Sequence, residues 1–319
     1  GDRELLAENL NWFFGRGWTA SHLSLIQVWA GDIGCENLGF DPETLALAKA
    51  RIGTVLHAAA DVRHYADEAE SLAVNSRGAA SVIAFTRSIN ARLAHISTIS
   101  VAGEFLVAQP ERKATFSEAD RDIGQNWQDN VYVKGKFLGE AQVFKAMEEG
   151  LEARIFRVGR LVGRQSDGVF QKAPEKNSFY AFIQGARHLD ALPEDLADFP
   201  VELTAVDLCA AAIVALLEGR GRVYHLLNPQ APTFYELMAA IKGPLPLVDR
   251  QTFETGLIQK LVTVPMAEMS MFLDVWNRNK QHPFNITPTA EKTRLELEEK
   301  GFFWPKPPIR LLLSAFPVR

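Results

Sequence analysis

The feature that most restricts how this chain can fold is an alternation of short, mainly apolar runs with longer helix-like segments. The runs at residues 23–30, 53–60, 93–101 and 153–159 are mainly apolar and have the length of strands. Between them lie segments with helical spacing at 42–51, 69–90 and 133–149. A leading amphipathic segment at 2–18 carries Leu5, Leu6, Leu10, Trp12 and Phe13 and meets a stop signal at Gly15-Arg16-Gly17. A strand without a polar face must be covered on both sides, so the pattern predicts a parallel sheet with helices on each face, the doubly wound α/β class.

Composition narrows the function classes. At 319 residues, 47% hydrophobic and 23% charged, the chain can build one large domain or two modest ones. A net charge of -5 and the lack of a Lys/Arg-rich block argue against nucleic acid or an anionic membrane surface as the main partner. No apolar run reaches the ~18 residues a membrane span requires. Cys35 and Cys209 stand far apart with no CxxC spacing, which points to a reducing, cytoplasmic setting without a disulfide framework or a zinc site.

In doubly wound folds ligands sit at the carboxyl ends of the strands. The polar residues at those ends are Asp32, His57 followed by Ala58 and Ala59, Ser97 with Thr98, and Val158 with Gly159. Each has a plain structural reading: Asp32 as a turn cap, His57 as a satisfied core histidine, Thr98 as an ordinary strand residue. At the start of the segment 133–149, Tyr132 and Lys136 are four residues apart and therefore share a helix face. An ammonium beside a phenol favours the phenolate, and such a pair suits proton transfer to a carbonyl oxygen becoming an alkoxide. A Tyr-x-x-x-Lys match alone is equally consistent with two solvated residues on a surface helix.

The carboxyl-terminal half reads as a covering lobe. Residues 205–218 pass from a strand end into a buried helix, with Asp207 expected as its cap rather than as a catalytic group. Thr233 and Glu236 have capping-box spacing. The aromatics Phe170, Phe179, Tyr180 and Phe182 and the methionines Met266, Met269 and Met271 read as core or as the wall of a substrate channel, the methionines more readily as core. Pro305 to Pro308 ends regular structure before a short terminal helix.

Taken in order, Gly31-Asp32-Ile33, His57-Ala58-Ala59-Ala60-Asp61-Val62, Asn75-x-x-Gly78, His95 to Val101, Tyr132-x-x-x-Lys136 and Arg157 to Gly163 resemble an extended short-chain dehydrogenase/reductase. Within it, the chain is most similar to the terminal thioester reductase domains of nonribosomal peptide and polyketide synthetases, kin of the reductase domains of carboxylic acid reductases. The likeness runs on through Ala205 to Leu208, Val223 to Pro229 and Gly301 to Pro305. It implies a Rossmann-like fold with a smaller mixed substrate lobe, and NADPH-dependent release of an acyl or peptidyl chain from a phosphopantetheinyl carrier protein as an aldehyde, in some members as the alcohol. By the same likeness Asp32 and Ile33 face the adenine, and His57, Ala58 and Ala59 line the cofactor. Thr98, or less readily Ser97, binds the substrate carbonyl, Tyr132 gives the proton, and Lys136 holds the nicotinamide ribose and lowers the Tyr132 pKa. Val158 and Gly159 border the nicotinamide. Two other functions share the field: redox-independent release by cyclisation, which the intact Tyr132/Lys136 pair disfavours, and a non-catalytic scaffold. A sugar-nucleotide epimerase or hydroxysteroid dehydrogenase would use the same fold.

The sequence departs from that pattern at two places. Val158 stands where a proline is usual, and no Gly-x-x-Gly-x-x-Gly turn for the pyrophosphate occurs anywhere. The resemblance sets residue 1 just before the family's second helix, so a first strand-turn-helix unit is expected to be missing from this stretch of sequence. The expected division is a dinucleotide-binding part at 1–162, a mainly substrate-binding lobe at 163–319, and a return to the first part at 201–228.

Overall fold

A computed structural model describes residues 2–63 and 67–314. Four parallel strands, β1 (Thr54–His57), β2 (Arg92–Thr98), β3 (Ala153–Val158) and β4 (Val223–Leu226), lie side by side in chain order. Parallel neighbours need crossover connections. Between β1 and β2 these are α3 (Glu68–Leu72), a π-helical turn at Ala73–Arg77 and α4 (Gly78–Ser88), and between β2 and β3 the long α5 (Val131–Glu148).

Both faces of the sheet are buried. On one, Val82 and Ile83 of α4 and Val143, Phe144 and Met147 of α5 pack against Leu93 and Ile155. On the other, Ala212 and Leu216 of the helix Val206–Leu216 and Leu297 of the helix Glu291–Glu299 meet Ala94, Phe156 and Leu226. Each fully covered aliphatic side chain contributes about 1.5–3 kcal/mol. The architecture is therefore the doubly wound α/β fold anticipated above.

The placement of α5 determines the site. Its first turn is capped by Asn130, whose side chain accepts the Val133 amide at 3.2 Å. Glycine at 139 lets the helix approach the π turn, since a Cβ there would lie 2.6 Å from the Asn75 carbonyl oxygen. Asn75 itself accepts the Asp61 amide at 2.9 Å and donates to the Asp61 carbonyl at 2.8 Å, pinning the loop that follows β1.

Two expectations are corrected. The run 23–30 is not a strand: Leu23–Leu25 form a 3-10 turn, and among the described residues nothing pairs with the extended stretch after it. Apolar content suits a strand but does not provide a ladder partner, and the described sheet begins at β1. Helix α1 (Asp2–His22) breaks at Gly15, where φ is +83° and the backbone is not helical, as the Gly15-Arg16-Gly17 signal leads one to expect, and helix resumes as far as His22. Finally, Asp207 does not cap its helix. Ala205 occupies the cap without a side-chain bond, while the Asp207 carboxylate accepts the Gln165 amide at 2.8 Å and ties the loop after Val162 to the helix.

The remaining lobe has its own core. The helices α6 (Ser178–Ala186), Phe234–Lys242, Arg250–Thr263 and Met266–Gln281 enclose Ile183, Leu203, Leu237, Met269 and Phe272. The Thr233/Glu236 capping box is present. Met269 is core, as are Phe170, Phe179 and Tyr180, whereas Met266 is exposed.

Candidate active site

Tyr132 and Lys136 enter from the first turns of α5 and Thr98 from the end of β2, and the three converge. The Tyr132 hydroxyl is hydrogen-bonded to the Thr98 side chain. Thr98 is held in place as its hydroxyl oxygen accepts the Ser100 amide at 3.2 Å. Lys136, only 5% exposed, reaches across to donate from Nζ to the Ile96 carbonyl at 2.6 Å, two residues before Thr98 on the same strand.

The electrostatics differ in one respect from the sequence expectation. Burial raises the Tyr132 pKa above the ordinary phenol value, and the opposing influence is the Thr98 hydrogen bond, not Lys136. Lys136 is itself desolvated: burial pulls it down to about 8, against the pull of Glu140 one turn further along α5. An ammonium committed to a backbone carbonyl and weakened by burial does little to stabilise a phenolate. Tyr132 is accordingly a protonated donor at neutral pH.

Beneath α5 a belt of polar side chains crosses the sheet. His57 of β1 is in register with His95 of β2, Ser97 with Arg157 of β3, and Arg157 with His225 of β4. The His57 and His95 rings lie 5.1 Å apart. Burial, aided by the Lys136 charge, brings His57 down to about 4 and His95 well below the imidazole range. Among the described residues, both ring nitrogens of His95 and the Ser97 hydroxyl are buried without a hydrogen-bond partner.

Arg157 forms a closed pair with Glu140. Its Nε lies 3.0 and 3.1 Å from the two carboxylate oxygens and its Nη2 2.8 Å from one of them, with both side chains almost fully buried. The Arg157 Nη1 donates to the Asp120 carbonyl at 2.9 Å and to His225 Nε2 at 3.1 Å. His225 Nδ1 faces the Thr289 carbonyl at 2.6 Å, and since a carbonyl only accepts, the proton of a neutral His225 sits on Nδ1.

Four of the other sequence candidates fall at the same edge, whereas Asp32 and Ile33 follow a stretch that forms no strand and lie in a turn. Ala58 and Ala59 are exposed at the end of β1. Val158 closes β3, and Gly159 donates to the Leu226 carbonyl at 3.0 Å. Ile33 packs on the start of α4, where a Cβ at Gly78 would meet it at 2.8 Å, and the Asp32 carboxylate accepts the Gly34 amide at 2.7 Å. Thr98 rather than Ser97 meets the phenol.

Two participants were not assigned a role from sequence. Asn75 fixes the loop after His57, and its signal in the sequence is its place in Asn75-x-x-Gly78. Glu202 lies against Gly159, where an added Cβ would clash with its carboxylate; it accepts the Arg160 amide at 2.5 Å and the Asn228 amide at 3.2 Å. Burial raises its pKa, opposed by these donors and the Thr204 hydroxyl. Its signal was an acid among the apolar residues 201–205.

The edge matches the nicotinamide end of a dinucleotide. Small residues leave the end of β1 open, an ammonium and two hydroxyls converge nearby, and buried polar atoms stand orphaned. The sequence holds no Gly-rich turn for the pyrophosphate. Among the described residues no cluster of His, Cys, Asp or Glu could hold a metal ion, and no helix is long and apolar enough to cross a membrane.

Comparison with known proteins places this geometry in context. The model of an NAD-binding family, described as male sterility protein, matches residues 6–213. A thiolation-reductase di-domain from an archaeal nonribosomal peptide synthetase superposes with a TM-score of 0.82 and 27% identity, covering 98% of this chain and 67% of that one. The reductase domain of the aureusimine biosynthetic cluster gives 0.80 and 26%, covering 98% and 78%. A linear gramicidin synthase of Brevibacillus parabrevis is 25% identical over 232 residues, 71% of this chain but 4% of the synthase polypeptide.

Proposed function

This chain belongs to the male sterility family of NAD-binding proteins and has the fold of nonribosomal peptide synthetase reductase domains, and on that footing we propose that it reduces a carrier-bound acyl or peptidyl thioester with NADPH, releasing an aldehyde. The observation that carries the reading is the convergence of the Thr98 hydroxyl, the Tyr132 phenol and the buried Lys136 ammonium at one strand end. NADPH, when bound, supplies the hydride.

The chain's own residues do the rest. Thr98 and Tyr132 direct two hydroxyl donors at the thioester oxygen, where negative charge develops as the carbonyl carbon is reduced. Tyr132, kept protonated by its burial, gives its proton to that oxygen, forming a thiohemiacetal. As the carbon-sulfur bond then breaks, the Tyr132 phenolate takes back the hydroxyl proton while the carrier leaves as a thiolate that takes its proton from water. Lys136 would hold the nicotinamide ribose. His57, Ala58 and Ala59, with Val158 and Gly159, would line the nicotinamide end, and Asp32 and Ile33 the adenine. The phosphopantetheinyl carrier is the proposed partner; one similar structure is a thiolation-reductase pair.

The test is to mix the protein with NADPH and an acyl thioester of pantetheine and follow the near-ultraviolet absorbance of the reduced nicotinamide. Oxidation that requires the thioester and falls at least ~100-fold in Tyr132→Phe supports the reading. A folded Tyr132→Phe that oxidises NADPH at the wild-type rate, or a wild type that oxidises none, contradicts it.

A further inference from the structure

We propose that Glu140 and Arg157 form a positioning pair that sets how firmly Lys136 holds its proton. Arg157 occupies both carboxylate oxygens and so denies Lys136 a full counter-charge. The inference rests on the assignment of Lys136 to the reacting centre.

The groups that can act on Lys136 are few, and their positions are known. On α5 itself, Tyr132 lies one turn before and Glu140 one turn after. From β1 comes His57 and from β2 His95, both buried and neutral at pH 7. From β3 comes Arg157 and from β4 His225, whose Nε2 already accepts from Arg157. The loop after β1 brings Asp61, which is taken up by Arg63 at 2.8 Å, and Lys134 on the outer side of α5 pairs with Glu68 at 2.6 Å. At the far end of the belt Asp120 and Glu118 face Arg157 and His225, the first accepting from Ser117 and the second from Thr293. The Glu140 carboxylate instead lies between Lys136 and Arg157 and acts on both.

Arg157 wins on geometry. A guanidinium presents a planar fork that fits both oxygens at once, while an ammonium one helical turn away meets them as a point charge. The three contacts of 2.8–3.1 Å account for the carboxylate, and Lys136 is left with the Ile96 carbonyl as its acceptor. Burial has already weakened this ammonium, and with the carboxylate occupied the amine can lose and regain a proton near physiological pH beside the reacting phenol. A fully paired lysine would stay charged through the cycle.

The two partners can be separated because they act with opposite sign. In Glu140→Gln the attraction is removed and the Arg157 charge remains, so Lys136 titrates at least about one pH unit lower. In Arg157→Met the carboxylate is freed to pair with the ammonium, and Lys136 titrates higher by a similar amount. The measurement is the pH dependence of acetic anhydride labelling at Lys136 in cofactor-free protein, quantified by mass spectrometry of the peptide. It is paired with the pH profile of NADPH oxidation, whose basic limb should move with the labelling curve in both variants. If the pair were merely structural, its loss would admit water and move Lys136 upward in both variants; an upward or absent shift in Glu140→Gln overturns the proposal. Glu140→Asp, which keeps the charge, should restore most of the wild-type curve and guards against a variant that fails to fold. A wild type with the expected labelling curve but no NADPH oxidation would instead count against the reaction assigned above.

Discussion

Replacing Gly139 by alanine tests whether the closeness of α5 to the π turn is what holds the reacting groups in place. In a solvated helix this substitution stabilises by about 0.8–1 kcal/mol, because glycine loses more backbone entropy on folding. Here the new methyl would lie 2.6 Å from the Asn75 carbonyl oxygen, whereas carbon and oxygen approach no nearer than roughly 3.3 Å even in close C–H···O contacts. The obstacle is backbone on a turn anchored by two hydrogen bonds to Asp61, so α5 rather than the turn must yield. Overpacking of this kind costs about 1–3 kcal/mol, leaving a net loss of up to ~2 kcal/mol. Displacement of α5 also carries Tyr132 and Lys136 away from Thr98 and Ile96, and a misplacement approaching 1 Å costs on the order of 100-fold in rate. Gly256 supplies the contrast: it lies in an exposed helical turn with nothing within 4 Å of its Cβ position, so Gly256→Ala should gain about 0.8 kcal/mol and leave turnover unchanged. Urea denaturation and NADPH oxidation on both variants read these effects. A Gly139→Ala protein as stable and as active as wild type would refute the reasoning.

Other consequences follow from the same belt and loop. Because His57 and His225 titrate near about 4 in the folded protein and near ~6.5 when unfolded, the unfolded chain binds protons first as the pH falls. Stability should therefore drop between pH 6.5 and 4, by roughly 3 kcal/mol for each residue, and urea midpoints for His57→Gln should fall less steeply across that window. Asn75→Ala removes both hydrogen bonds to the half-buried Asp61 backbone, which should cost about 1–3 kcal/mol. Hydrogen exchange should then speed up at residues 58–62 with little change at 93–98; uniform acceleration would mean that Asn75 supports the whole sheet instead.

The fold was readable because short apolar stretches such as Leu93-Ala94 and Ile155-Phe156 recur between segments of helical period, of which α5 is the plainest, even though β2 and β3 also carry polar residues. The positions of Thr98, Tyr132 and Lys136 could be read for a similar reason, since a strand end and a helical i,i+4 spacing fix where side chains emerge. The run 23–30 misled because pairing is a property of neighbours, not of the run. The Tyr132 pKa misled because desolvation depends on what covers the phenol, which spacing does not report. Asp207 had the right type for a cap but lay two residues inside the helix, where a loop amide claimed it. Asn75 is legible only as part of Asn75-x-x-Gly78, and Glu202 not at all, because a polar residue in a sequence shows that something must satisfy it, not what does.

The central claim is that hydride arriving at a thioester carbon is matched by a proton from Tyr132. Its most direct test uses NADPH carrying deuterium at the transferred position, an acyl pantetheine thioester, and mass spectrometry of the released product. The account predicts an aldehyde with a single deuterium at the former carbonyl carbon, and its near-disappearance in Tyr132→Phe. Product released without deuterium, or labelled product formed at the wild-type rate by the phenylalanine variant, would contradict it.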